Sequence, residues 1–431
     1  MPYYSQDMIG GAQNSTHIYY NINISNDYSG YDISSNGGIM PIVTNDKELQ
    51  LVFNQSRAAP YLINPSKYYL SVQRFTIESP NLPVFICQPI VGQANVNKSI
   101  YSITLQRNSD NTTLTLPVLW QPDDKTVPIP SGTVTNSWQT NPYYYCHSYT
   151  HMVDLINNTF NNFVTSGFTQ RTLVTDPSGN CYVPYLFLKD NLFTLGGDVE
   201  HYRTYLNGGY GGKGGCVQYK IYFNIELYNL FSSLKAIYVG TQGPANVIGA
   251  DYQLIMDTGT NGPFATPGQI YNVQENPRYY TAKGATLSVE TNDVWNVQEY
   301  STLPLWSPVK NILFRTTLLN VVPDIVATPI VFDSNNTNTT GSRQNCDIIN
   351  IMVDYSLPLV KGTEYKPYIY YEPVGEFRLV DLYGNQPINS MDIAVFWKDS
   401  FGNLIPFLLD IGASATLKLL FRKKIFNSDK I

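Results

Sequence analysis

Charged residues are scarce in this sequence. Of its 431 residues only 14% are Asp, Glu, Lys or Arg, whereas ordinary soluble proteins carry roughly 25%. Basic residues number 27 and acidic residues 33, which gives a net charge of −6. A weakly charged, acidic chain lacks the positive field by which proteins hold a phosphate backbone. A specific nucleic-acid partner is therefore not expected.

Cysteine and long apolar runs are also lacking. No Cys-x-x-Cys pair occurs, so neither a zinc ribbon nor a disulfide framework is predicted, and folding in a reducing compartment is the simplest interpretation. No stretch approaches the ~20 apolar residues of a membrane helix. No basic region followed by an apolar run opens the sequence, so no secretory signal is predicted. The five scattered cysteines are Cys87, Cys146, Cys181, Cys216 and Cys346.

Tyrosine, by contrast, is abundant, with 34 copies. Asn, Thr and Ser fill most of the remaining polar positions. Such side chains form hydrogen bonds and are cheaper to desolvate than full charges, so a surface built from them suits permanent subunit contacts. A codon bias towards Tyr, Asn and Ile explains the same composition equally well.

Many short β-strands follow one another along the sequence. Apolar residues alternate with polar ones, or fill both faces as in a two-sheet core, while Pro and Gly fall mostly between these runs. The predicted strands are 49–53, 68–77, 99–106, 113–120, 183–188, 218–225, 236–239, 252–256, 311–319, 347–355, 391–397, 404–409 and 413–421, and a brief alternating run lies before them at 18–24.

Helices are few. Residues 151–164 repeat apolar side chains at helical spacing with Thr150 as the predicted cap, and 227–234 predicts a second, short helix. This pattern predicts an all-β fold, a jelly-roll β-sandwich with a loop-rich inserted region and one or two short helices.

Four parts are predicted along the chain. Residues 1–45 form an N-terminal arm, 46–197 the first part of the jelly roll with one helix, 198–276 a loop-rich insertion or upper domain, and 277–431 the second part of the jelly roll. The arm is expected to be loose alone and ordered against neighbours.

The sharpest enzyme motif is Asp257-Thr258-Gly259 after an apolar pair, as in aspartic proteases. That chemistry needs two carboxylates that share a proton. The nearest second copy, at Asp410, has Ile411 where Thr or Ser is required. An ordinary turn explains the motif better, so no catalytic residue is predicted.

Three other motifs resemble ligand sites. Cys146, His147 and His151 lack the Glu of a zinc protease and are expected to be structural. The glycines of 208–215 precede a strand, whereas a dinucleotide site needs a helix there. The basic residues 422–424 are interpreted as a solvated strand end in preference to a nucleic-acid contact. No metal or cofactor is predicted.

The order of several phrases along the chain resembles the minor capsid (penton, or vertex) proteins of Polinton-like viruses, virophages and related adenovirus-like lineages. The phrases lie at 53–86, 143–160 and 223–234. The two most specific ones are Trp306-Ser307-Pro308-Val309 and the segment 370–424. Residues 198–276 match least.

The resemblance implies a jelly roll that forms a homopentamer at the fivefold vertices of an icosahedral capsid. Its neighbours would be the major capsid protein of the same virus, and a vertex fibre or host receptor is a further possible partner. The site of action would be the virion, and the chain would not be an enzyme. The candidate interface residues are Trp306, Glu376, Arg378, Asp381 and Trp397; burial of both tryptophans in the core is an equally open interpretation.

Two alternatives remain. A major capsid protein with two jelly rolls would assemble as trimers and repeat a strand–helix–strand layout in both halves. An aspartic-type hydrolase acting through Asp257 is the remote alternative, and loss of proteolysis in Asp257→Asn would identify it.

Overall fold

The computed structural model describes residues 16–25, 31–33, 39–41, 49–78, 82–123, 127–135, 138–169, 183–198, 202, 218–240, 249–256, 270–271, 287–288, 293–326, 347–356, 368–372, 378–400, 402–409 and 412–424. Most of their regular structure is strand, in agreement with the predicted all-β class. The strands are β1 His17–Ser25, β2 Tyr31–Ile33, β3 Ile39–Pro41, β4 Leu49–Gln50, β5 Val52–Ser56, β6 Tyr68–Glu78, β7 Phe85–Ile86, β8 Lys98–Arg107, β9 Thr113–Leu119, β10 Tyr145–Cys146, β11 Tyr185–Lys189, β12 Leu192–Asp198, β13 Tyr219–Phe223, β14 Ala236–Tyr238, β15 Tyr252–Leu254, β16 Ile270–Tyr271, β17 Leu287–Ser288, β18 Asp293–Val297, β19 Asn311–Arg315, β20 Asp324–Val326, β21 Asp347–Ile349, β22 Ile351–Ser356, β23 Tyr368–Tyr371, β24 Val380–Asp381, β25 Ser390–Lys398, β26 Leu404–Pro406, β27 Leu408–Leu409 and β28 Ser414–Lys423.

Helices are short, with one exception. The α-helices are α1 Tyr149–Thr165, α2 Ile225–Leu230 and α3 Leu303–Trp306, and 3₁₀ turns lie at Pro65–Lys67, Trp138–Thr140 and Pro142–Tyr144. No helix among the described residues is long and apolar enough to cross a membrane.

The two predicted helices are present with shifted starts. Helix α1 begins at Tyr149 with extended Ser148 at the N-cap position, so the prediction that Thr150 caps it is wrong. Helix α2 begins earlier than predicted because the Asn224 side chain accepts the Leu227 N–H at 3.2 Å and caps it there. The same cap ends β13 at Phe223.

The chain divides into two compact units. Unit 1 comprises Met1–Leu82, Pro308–Pro358 and Tyr365–Ile431, and unit 2 comprises Pro83–Ser307 and Leu359–Glu364. This division runs differently from the predicted boundaries at 197/198 and 276/277. The physical reason is strand pairing: β13, from the range predicted as an insertion, pairs antiparallel with β8.

Unit 1 is a sandwich of two five-stranded sheets. One has the order β1-β28-β6-β23, with β24 also on β6, and the other has the order β22-β19-β25-β26, with β5 also on β25. Strand β1, within the range predicted as an arm, forms a nine-residue antiparallel ladder with β28. Between the sheets, the ring of Phe75 on β6 meets Phe314 on β19 edge to face, with centroids 4.5 Å apart.

Unit 2 combines sheets with the long helix. A five-stranded sheet has the order β14-β15-β13-β8-β9, a three-stranded sheet the order β11-β12-β18, and α1 packs against β9 and β11. The apolar face of α1, including Met152, Ile156 and Phe160, is buried. The helix thereby covers apolar strand side chains that would otherwise face water.

Replacing Phe75 with Ala is expected to lower the free energy of unfolding by about 3–5 kcal/mol, because it removes a buried ring and leaves a cavity between the sheets. Equilibrium urea unfolding of the full chain measures this difference. The exposed Val322→Ala is the control and should change stability by less than about 0.5 kcal/mol. Equal effects of the two substitutions would show that the contact between the sheets does not stabilise unit 1.

Candidate functional site

Both candidate interface tryptophans lie inside the protein. Trp306 and Trp397 are each only 3% exposed. In unit 2, Trp306 stacks on Phe193 at 5.0 Å, meets Phe231 at 5.4 Å, and donates its Nε1–H to the carbonyl of Leu230 at 2.8 Å. Trp397 lies on the central strand β25 of its sheet in unit 1. Neither indole presents a surface to another subunit, so the core interpretation accounts for them.

The two described charged candidates, Arg378 and Asp381, pair with different residues. Arg378 forms an exposed ion pair with Asp354. Asp381 is paired with Lys424, whose Nζ lies 2.7 Å from Oδ1. Glu376 lies outside the described residues. Arg378 and Asp381 are surface groups of unit 1, and an exposed pair such as Arg378–Asp354 contributes little to stability.

Four exposed apolar side chains of unit 1 lie in segments that pair with, or belong to, the segment 381–388. Ile63, Leu318, Val322 and Tyr383 are between 42% and 50% exposed, and we call them the apolar end. Large apolar side chains grouped at a surface mark sites of protein–protein contact.

Backbone hydrogen bonds bring the segments of the apolar end together. Val322 N–H donates to the carbonyl of Asp381 at 2.9 Å, and Tyr383 N–H donates to the carbonyl of Asn320 at 2.8 Å. Leu62, next to Ile63, forms a β-bridge with Ile388. Three segments that are distant in sequence are therefore neighbours in space.

The carboxylate of Asp392 holds the turn that carries Leu318. It accepts hydrogen bonds from the Thr316 hydroxyl at 2.8 Å, the Thr317 hydroxyl at 2.6 Å and the Leu318 N–H at 2.6 Å. Burial alone would raise the pKa of Asp392, but these hydrogen bonds outweigh it and hold the pKa below the ordinary value of 3.8. This turn also ends β19 at Arg315, short of the predicted 319.

Sequence reasoning missed the apolar end. Its four members are single apolar residues in three separate loops, so no periodic pattern connects them. The available signal was local: each follows or precedes a buried apolar neighbour, as Leu318 precedes Leu319 and Tyr383 follows Leu382.

The imidazoles of the Cys146–His151 region have structural partners. The main-chain N–H of His147 donates to Asp123 Oδ2 at 2.8 Å, and the ring Nδ1 of His147 lies 3.4 Å from Asp123 Oδ1. His151 Nε2 lies 2.6 Å from the carbonyl oxygen of Gln121. Burial alone would raise the pKa of Asp123. The hydrogen bonds from His147 and the positive charges of His147 and His151 outweigh burial and lower this pKa to about 2.

No metal-binding cluster is evident where the structure describes the chain: no three His, Cys, Asp or Glu side chains there lie close enough to share an ion. Asp257, Asp410 and the glycines of 208–215 lie outside the described residues.

Replacing Asp392 with Asn should lower the melting temperature at neutral pH, because an amide nitrogen cannot accept the hydrogen bonds of the turn. A lowered carboxyl pKa contributes stability that is complete above its ordinary value and is lost as the pH falls through the lowered one. The difference in melting temperature between wild type and Asp392→Asn should therefore shrink below about pH 4. A difference that stays constant down to pH 2 would contradict this role.

Comparison with known proteins identifies the chain's relatives. The family model for the Sputnik minor capsid protein V18/19 matches residues 18–423. Structural protein V19 of Sputnik virophage is 27% identical over 208 residues, which cover 48% of this chain and 81% of that protein. Protein V18 of Sputnik virophage, which is uncharacterized, is 33% identical over 141 residues, which cover 31% of this chain and 79% of that protein.

Solved structures share the fold. A chain of the Sputnik virophage structure has a TM-score of 0.66 at 24% identity, covering 95% of this chain and 98% of that chain. The mavirus penton protein has a TM-score of 0.52 at 16% identity, covering 95% of this chain and 100% of that chain. These likenesses confirm the predicted jelly-roll fold, and the family match confirms the resemblance found in the sequence: the chain belongs to the Sputnik minor capsid protein V18/19 family.

Proposed function

We propose that this chain forms the pentameric vertex, or penton, of an icosahedral capsid and contacts the surrounding major capsid proteins. The observation that carries the proposal is the shared fold with the mavirus penton protein over the full length of that chain, within a family of minor capsid proteins. A rigid sandwich with exposed apolar and polar surfaces suits a subunit that meets both its own copies and other proteins.

The apolar end is the proposed contact with a neighbouring major capsid protein. It combines exposed apolar side chains with an ion pair at its rim, Asp381 with Lys424. This arrangement, an apolar centre with polar groups beside it, is typical of protein interfaces. Asp392 holds one of its loops in place, so the surface is formed before a partner binds.

A double-jelly-roll major capsid protein is the second candidate. It would repeat a strand–helix–strand layout in both halves. Helix α1 of unit 2 has no counterpart in the described residues of unit 1, where only the 3₁₀ turn Pro65–Lys67 is helical. The layout of the described residues therefore favours the penton.

We infer that the chain acts without enzymatic chemistry, as a component assembled in a reducing compartment. Cys87 and Cys146 support the second point. Both thiols are buried: Cys146 lies on β10, and Cys87 directly follows β7, the strand paired with β10. Burial is the main cause, and the charge of Cys146 the second, that raises the pKa of Cys87 well above its ordinary value. A thiol held protonated in this way is unreactive, which suits a structural role.

The mass of the purified full-length protein in solution tests the oligomer. Native mass spectrometry or light scattering should give five times the protomer mass of 48.5 kDa. A trimer would favour the major capsid protein instead. A monomer at every accessible concentration would contradict self-assembly of the penton.

The double substitution Val322→Glu, Tyr383→Glu should reduce co-sedimentation with the major capsid protein of the same virus by about tenfold or more, because interface energy concentrates in buried apolar and aromatic anchors. The control is Val91→Glu, Ile129→Glu, which places the same charges at exposed apolar positions of unit 2. Equal co-sedimentation of both variants would remove the apolar end from the interface.

A further inference from the structure

The outer face of the sheet β1-β28-β6-β23 carries a row of positive charge. Strand alternation turns Phe75 and Leu417 into the core, where both are buried, and turns Arg74 and Lys418 outward. The strand register places Lys418 opposite Asn21 on one side and opposite Arg74 on the other. The two cations are therefore direct cross-strand neighbours, an arrangement that is unfavourable in an isolated sheet.

The two cations lack a carboxylate partner of their own among the described residues. Neither Arg74 nor Lys418 forms an ion pair with another described residue. Lys418 lies over the ring of Tyr19, with the Nζ atom 4.8 Å from the ring centroid. Of the acidic residues on the same sheet, Glu78 accepts the Ser414 N–H at 3.1 Å and Asp381 pairs with Lys424 at 2.7 Å.

Glu372, which follows β23, is the remaining acid of this sheet. Its carboxylate accepts the hydroxyl hydrogen of Tyr370. Two cations thus face a single carboxylate that is already hydrogen-bonded, so the row keeps a net positive charge.

Exposed tyrosines flank the two cations. Tyr19 on β1 is 51% exposed and Tyr370 on β23 is 58% exposed. Tyrosine and arginine are, with tryptophan, the side chains enriched among the energetic anchors of protein interfaces. Uncharged hydrogen-bonding side chains complete the face, at Asn21, Asn23, Thr76 and Thr416. We call this face the cationic row.

We propose that the cationic row docks against an acidic surface of a second copy of this chain, an inference that rests on the proposed pentamer. Each copy has a net charge of −6, so two copies repel one another unless opposite charges meet where they touch. The cationic row supplies that positive surface, while the excess of carboxylates supplies its complement on the neighbour. Different surfaces that meet in this way close a ring, as a pentamer requires.

Nucleic acid is the less favoured occupant. Binding along a phosphate backbone uses many cations and a positive overall field, whereas Arg74 and Lys418 are a single cross-strand pair on an acidic chain.

The test compares two full-length double variants with equal charge changes. Arg74→Glu, Lys418→Glu reverses the row. Lys67→Glu, Lys310→Glu is the control, because both lysines are exposed in unit 1 and form no ion pair with a described residue. Sedimentation at low salt should show that the reversed row raises the protomer concentration for half-assembly about tenfold or more, and the control less than about threefold. Wild-type assembly should also weaken as salt increases.

The outcomes separate the two proposals. A wild-type protein that never forms pentamers contradicts the proposed function itself. A wild-type pentamer that both variants weaken equally, or that salt does not affect, overturns the cationic row as the contact. Loss of binding to a duplex DNA probe with intact pentamers overturns it in favour of nucleic acid. Should Arg74→Glu, Lys418→Glu fail to fold, Arg74→Gln, Lys418→Gln provides the same comparison against Lys67→Gln, Lys310→Gln.

Discussion

The antiparallel pairing of β6 with β28 is the interaction on which unit 1 depends. It joins Tyr68–Glu78 to Ser414–Lys423, segments from opposite ends of the chain. Strand β28 in turn holds β1 on its other edge, and β6 carries Phe75 against Phe314 of the second sheet. Without this pairing the sheet has no centre, and the apolar sides of both sheets would face water. Pairing between segments so far apart in the chain is slow to form, because the entropy of closing the long intervening loop is lost before the strands make contact.

A sandwich closed in this way leaves its loops and outer faces available for contact. The loops that meet at the apolar end are held by backbone hydrogen bonds and by the Asp392 carboxylate, so their exposed side chains are presented on a rigid frame. The outer face of the sheet β1-β28-β6-β23 presents the cationic row. The two surfaces differ in chemistry, one apolar and one charged, as expected of a subunit that meets more than one kind of neighbour.

The strands were largely predictable, while their partners were not. The run 68–77 corresponds to β6 and 391–397 to β25 within one residue at each end, because burial on one or both faces leaves a direct trace in the order of side chains. Strand ends were displaced where a polar side chain stopped the ladder, as Asn224 does after β13 and Asp392 does after β19. Such caps act on a few atoms and have no periodic signature.

The sequence by itself determined the all-β class, the long helix and, through its characteristic phrases, the family. Tertiary structure alone decided which segments form unit 1, that Trp306 and Trp397 are buried, and that Arg378 and Asp381 pair with Asp354 and Lys424. The physical reason is range. Alternation and helical spacing act over a few neighbouring residues, whereas an interface is made by side chains that long-range strand pairing brings together from loops far apart in the chain.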